Sequence, residues 1–329
     1  LKTLIVRIAA LVIAVAILGG GGYLGAQYLG LFEPEVDTRV RYLPDHPDFV
    51  VSVNLPKVMS IAQSVGVDPQ GLSGGVSASS LPFDTNSVQD VTFAGNVHEK
   101  QWVVIATLSQ EIDPKTLFPG GSEPDDSTRA GGTKIYYDRE MANIGMDFAF
   151  AMPSKTTMLV GPMETLKEVL KRRGAPVVAE AFQTLLDQKN SGAWLAGAAD
   201  VNALWRLAED GLPIDLNSEE RWLAESIGSV SFAWSGIGEY DFELRAHCKN
   251  AKDAPLIAER AQAMMKDQRK RLLATMTTLG QPVNAETKTL WDGIAVKVED
   301  GVIHVSQHID RSMLELGSRQ LAATGVLQP

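Results

Sequence analysis

Cysteine is nearly missing from this chain: its 329 residues include one, Cys248. That excludes a disulfide framework and any zinc site built on paired thiolates. Histidine is scarce as well, with five residues at positions 46, 98, 247, 304 and 308. Basic side chains fall short of acidic ones, 30 against 40, for a formal net charge of −10. A chain so poor in positive charge is a weak match for nucleic acid or an anionic lipid surface. There is no P-loop, no dinucleotide-binding glycine fingerprint and no Cys/His metal spacing.

Against these absences stands one long uncharged run, Ile8–Phe32, preceded by Lys2 and Arg7 and followed by Glu33, Glu35 and Asp37. At about 1.5 Å per residue it is long enough to cross a hydrocarbon core of roughly 30 Å. A cleaved signal peptide would share the basic start, but the apolar character continues through Tyr23, Leu24, Leu29, Leu31 and Phe32. The expectation is a retained signal anchor. Residues 1–32 form a cytoplasmic tip and transmembrane helix, and residues 33–45 an acidic, proline-containing linker. The short basic tail stays in the cytoplasm and the long body is exported to the periplasm. Gly21 and Gly25 have the GxxxG spacing that lets two membrane helices approach closely, and Gly22 and Ala26 repeat it one residue on.

All 40 acidic residues and 28 of the 30 basic ones lie in residues 33–329, a formal charge of −12. A body this long suits two units of about 150 residues, and the pattern within it repeats. Phe49–Asn54 reads as a strand ending in a helix N-cap, followed by Leu55, Val58, Met59 and Ala62 on one helical face. A shift of 146 residues, carrying 54 onto 200, lands on a second strand capped by Asp200, followed by Val201, Leu204, Trp205 and Ala208. Val91–Ala94 matches Val230–Ala233, and each leads to a second strand, Trp102–Leu108 or Tyr240–Ala246. A hairpin then follows in each half. One is Phe148–Val160 around Pro153–Lys155; the other pairs Ile294, Val296 and Val298 with Val302–Ile309 around Asp300-Gly301, a strong turn signal. Amphipathic helices close both halves, near Met163–Arg172 and Arg311–Leu321. The variable part is a loop, Pro119–Thr133, in the first half and a helix, Pro255–Leu279, in the second.

The expected architecture is α+β: an N-terminal transmembrane helix and two similar antiparallel-sheet-plus-helix repeats, residues 46–190 and 191–329. The order of anchor, acidic linker, the strand–helix segment Val50–Met59 and the central Ala181–Gly197 resembles duplicated, membrane-anchored proteins of unknown function from planctomycete-type bacteria. That resemblance implies an extracytoplasmic α+β repeat protein and carries over no catalytic residue.

Candidate chemistry is thin. Gly71-Leu72-Ser73-Gly74-Gly75 matches the G-x-S-x-G pattern, but it follows a helix and enters a Ser-rich loop, not a strand-to-helix elbow. His304 and His308 fall on a strand pattern, which sets them roughly 13 Å apart, too far to share one ion. Glu123, Asp125 and Asp126 lack calcium-loop spacing. Trp194, Trp205, Trp222 and Trp234 suit a core better than a groove. The basic cluster Lys266, Arg269, Lys270 and Arg271 sits within a helical pattern and reads as a solvated face. The reading is therefore a non-catalytic membrane protein with no cofactor and no metal, contacting a protein partner or its own copies and no nucleic acid. The alternative is an extracytoplasmic ligand-binding or hydrolytic domain, its site assembled around Ser73 only in three dimensions.

Overall fold

Alternating apolar and small residues in runs of four to ten produce strands throughout the body, and these join into one sheet. The computed structural model describes residues 40–64, 87–113, 126–137, 149–172, 192–203, 225–236, 239–278 and 293–310, with 176, 182 and 222 between them. Ile8–Phe32 lies outside these residues, and among them no helix is long and apolar enough to cross a membrane.

The first strands are β1 (Phe49–Asn54), β2 (Val88–Asn96), β3 (Gln101–Leu108), β4 (Ser127–Ala130), β5 (Thr133–Tyr137), β6 (Ala149–Ser154) and β7 (Thr157–Gly161). Those that follow are β8 (Leu195–Asp200), β9 (Ile227–Ser235), β10 (Glu239–Cys248), β11 (Ile294–Glu299) and β12 (Val302–Asp310). The twelve lie in the order β11-β12-β10-β9-β8-β1-β2-β3-β7-β6-β5-β4, with every neighbouring pair antiparallel. The middle of the sheet is the β1–β8 ladder, where Phe49 faces Ala199, Val51 faces Gly197 and Val53 faces Leu195.

Among the described residues three α-helices cover the sheet: α1 (Leu55–Ser64), α2 (Met163–Lys171) and α3 (Ala254–Thr278). On one face, Ile105, Leu159, Ala151 and Ile135 stand opposite one another across β3, β7, β6 and β5. Leu166, Val169 and Leu170 of α2 bury themselves against that row together with Leu43 and Val50. On the other face, Val58 and Ile61 of α1 pack on Trp194, Leu195, Trp234 and Tyr240. Ile257 and Ala258 of α3 close over Ala246 and Ile303 on that same face. Each fully buried aliphatic side chain contributes about 1.5–3 kcal/mol, so these contacts, not helix propensity, hold the helices.

The strand ends follow from side-chain chemistry. Asn54 Oδ1 accepts from the Lys57 amide at 3.1 Å and starts α1; Asp200 Oδ1 accepts from the Ala203 amide at 2.9 Å and starts the helical residues 201–203. Both caps also donate their own amides across the central ladder, Asn54 to the Trp194 carbonyl and Asp200 to the Asp48 carbonyl, each at 2.7 Å. The Asp300-Gly301 turn has φ of 48° and 81°, the left-handed pair a two-residue hairpin needs.

One expectation is revised. The segment Pro119–Thr133, read as loop, ends in a hairpin, β4–β5, turned by Gly131 and Gly132 at φ of 56° and 84°. Gly131 is forced: a Cβ there would lie 1.8 Å from the Leu170 carbonyl oxygen of α2.

Candidate functional site

The helix α2 shields the sheet face over β3–β7, while the same face over β10 and β12 is lined with charged and polar side chains. Antiparallel pairing sets Asp241 opposite His308, Glu243 opposite Ser306 and Arg245 opposite His304. Alternation puts Tyr240, Ile303 and Ile309 on the far face, in the core, and leaves Asp241, Ser306 and His308 exposed and Glu243, Arg245 and His304 half-buried. His308 Nδ1 lies 2.9 Å from Asp241 Oδ1, and its Nε2 lies 3.7 Å from Glu239. The hydrogen bond to Asp241, with the nearby carboxylates of Glu239 and Asp310, raises the His308 pKa above its ordinary value. Arg245 Nε donates to Glu243 at 2.8 Å, and His304 stands 3.9 Å from the same carboxylate. The exposed His308 pair and the half-buried pairs on Glu243 are each worth about 0–1 kcal/mol. The two histidine–carboxylate pairs cross from β12 to β10, the Arg245–Glu243 pair lies along β10, and together they present a mixed-charge surface.

The second charged hub is Arg172, just past α2. Its Nη1 donates to the Leu43 carbonyl at 2.5 Å, and its Nη2 lies 3.1 Å from Asp45 and 3.7 Å from Glu168. Leu43 is buried among the α2 contacts, and Tyr42 packs on that cluster. Burial raises the Tyr42 pKa, against a smaller lowering by Arg41. The segment entering the body is thus clamped to α2 before β1 begins.

The Trp residues divide. Trp194 and Trp234 are core: their rings meet edge to face at 5.7 Å, Trp194 meets Tyr240 at 6.4 Å, and Trp234 meets Phe242 at 5.3 Å. Trp222 is half-buried under the Arg260 guanidinium, 4.4 Å from its ring centre. Trp205 lies outside the described residues, as do Ser73 with its glycines, Glu123, Asp125, and the Gly21, Gly25, Gly22 and Ala26 set. Asp126 immediately precedes β4, its carbonyl accepting from Tyr137 at 3.4 Å. His46 and His98 stand apart from the β10–β12 pair, and among the described residues no three His, Cys, Asp or Glu side chains are arranged to hold a metal ion. Burial, with a smaller contribution from Asp253, raises the Cys248 thiol pKa, which keeps the weakly nucleophilic protonated form at neutral pH.

Sequence reasoning reached the strand placement of both histidines and the polar face they share. It missed Arg172, whose partner Leu43 lies 129 residues away; no local pattern carries such a contact. It expected sheet edges to offer contact surfaces but not which strands form them; β4 and β11 are the outermost strands among the described residues.

Fold and surface define a class: an α+β protein with one wide antiparallel sheet, helices on both faces and ion-paired polar ground on one of them. No protein-family profile and no curated protein matches the chain. Among solved structures it is similar to crystal form I of TP0453, at 11% identity over 88% of this chain and 99% of that one, with a TM-score of 0.45. Crystal form III of TP0453 is similar at 11% identity, 87% and 100% coverage, and a TM-score of 0.48. Likeness at that level transfers neither activity nor partners.

Proposed function

We propose that this is a non-catalytic, single-pass membrane protein whose duplicated extracytoplasmic body makes protein–protein contacts in an envelope or membrane complex. The observation that carries the contact role is the open sheet of the described residues, whose two outermost strands, β4 and β11, have no further strand paired to them among those residues. Strand edges are standard docking sites for other chains.

Duplication is supported by the centre of the sheet. A shift of 146 residues carries Phe49 onto Leu195 and Asn54 onto Asp200, and the two-fold axis it implies falls on the central Val51–Gly197 pair of the β1–β8 ladder. The two caps and the two amide bonds that cross the ladder are exchanged by it as well. Reading outward, β1-β2-β3-β7-β6 is matched by β8-β9-β10-β12-β11. Two kindred halves related by a two-fold axis between Val51 and Gly197 account for all of this.

The anchor reading rests on Ile8–Phe32, and the clamp at Arg172 adds a length. Residues 33–39 separate the uncharged run from the 3-10 turn Val40–Tyr42, so the body stays within roughly 30 Å of the lipid. Detergent extraction followed by light scattering tests the function: the expected result is a homo-oligomer or a stoichiometric complex. A monodisperse monomer with no co-purifying protein refutes it.

A further inference from the structure

We propose that β11 pairs antiparallel with β11 of a second copy of this chain, about a two-fold axis at Val296; this deepens the contact reading above by choosing one edge and one partner. Of the two sheet ends, β4 has four residues and an exposed Arg129, whereas β11 has six and pairs with β12 without a bulge. Ile294, Val296 and Val298 of β11 share the face that carries α3, while Ala295, Lys297 and Glu299 share the other. Val298 is 37% exposed, one of two large hydrophobic side chains so exposed among the described residues.

The sequence of β11 selects its own register. An axis perpendicular to the sheet sets each residue against one from the same face. Centred on Val296, it places Val296 against Val296 and Ile294 against Val298 twice, covering the exposed valine. On the other face Ala295 meets Lys297 twice, so each lysine faces a small neighbour. Centring on Lys297 instead sets two ammonium groups directly opposite, which is unfavourable. Centring on Val298 sets Val296 against Asp300, already in the turn at φ 48°, and leaves three extended residues to pair. The Val296 register pairs five and forms about four to six backbone hydrogen bonds. A lysine on an edge strand guards against arbitrary partners, and here it tolerates the chain's own copy. Tethering both copies in one membrane raises their effective concentration, so a short strand contact suffices.

The test uses the full chain in detergent with Cys248→Ser. Val296→Cys should give a disulfide-linked dimer on mild oxidation. Glu299→Cys, about 20 Å from its counterpart in this register, should not. Val296→Asp should weaken dimerisation at least about tenfold by sedimentation. A wild-type monomer, or equal cross-linking at both cysteine positions, overturns the proposal. A dimer indifferent to Val296→Asp overturns it too, while leaving the broader contact reading intact. A monomer that also lacks any partner overturns both.

Discussion

Gly197 sits at the middle of the central ladder, facing Val51 on β1 and Phe232 on β9. The Phe232 ring lies over it: a Cβ at Gly197 would stand 2.5 Å from two ring carbons and 3.3 Å from a Val51 methyl. Gly197→Ala therefore forces the ring aside or the strands apart. Overpacking of this kind costs about 1–3 kcal/mol. The lower end applies if the half-buried ring swings outward, the upper end if β1, β8 and β9 must shift together. Phe232→Leu removes the obstructing carbons at the cost of some apolar contact, so the two changes should compensate. The double variant is expected to recover about 1 kcal/mol or more relative to additivity, the mark of residues in direct contact. Urea unfolding of wild type, both single variants and the double variant supplies the four numbers. A Gly197→Ala loss below about 0.5 kcal/mol, or strict additivity, would refute the claim that the ring occupies the glycine's space.

Other perturbations carry equally definite outcomes. Gly131→Ala meets the Leu170 carbonyl in a left-handed backbone, so it should lose more than about 2 kcal/mol and loosen the β4–β5 hairpin in hydrogen exchange. Arg172→Met keeps the stem but drops the bonds to Leu43 and Asp45; an increase in proteolytic cleavage near residues 40–45 with β3–β7 protection unchanged is expected, and unchanged cleavage refutes the clamp. His308 has a raised folded pKa, so its contribution is fully present below the unfolded value near 6.5 and fades as pH rises through the folded one. NMR titration should place the His308 pKa above its ordinary value near 6.5, and Asp241→Asn should bring it down; a His308 pKa below the ordinary value contradicts the pairing.

Much of the sheet was legible in local sequence because strands announce themselves by alternation and caps by a single residue. Asn54 and Asp200 were readable as caps for that reason, and Asp300-Gly301 as a hairpin turn. The β4–β5 hairpin was overlooked although its signal existed: Gly131-Gly132 stands between Ser127–Ala130 and the aromatic, β-branched Thr133–Tyr137. The glycines, prolines and acidic residues just before it masked the nine strand positions, four in β4 and five in β5. Two features had no local signal at all. The joining of β1 to β8 links residues 142 to 150 apart, and the Arg172 clamp depends on where α2 happens to end. Among the candidate chemistry, the alternation that placed His304 and His308 outward was readable, whereas their carboxylate partners on β10 required the register.

The β1–β8 ladder also governs how the molecule bears mechanical load. Two separate sheets strung on a flexible connector would swing independently and stretch one after the other. Here five residue pairs between β1 and β8 make the strands on either side one continuous girder. A load on residues 43–45 passes through the Arg172 contacts to α2, and at the middle of the sheet it crosses a backbone ladder. Torque applied at one rim is delivered to the opposite rim.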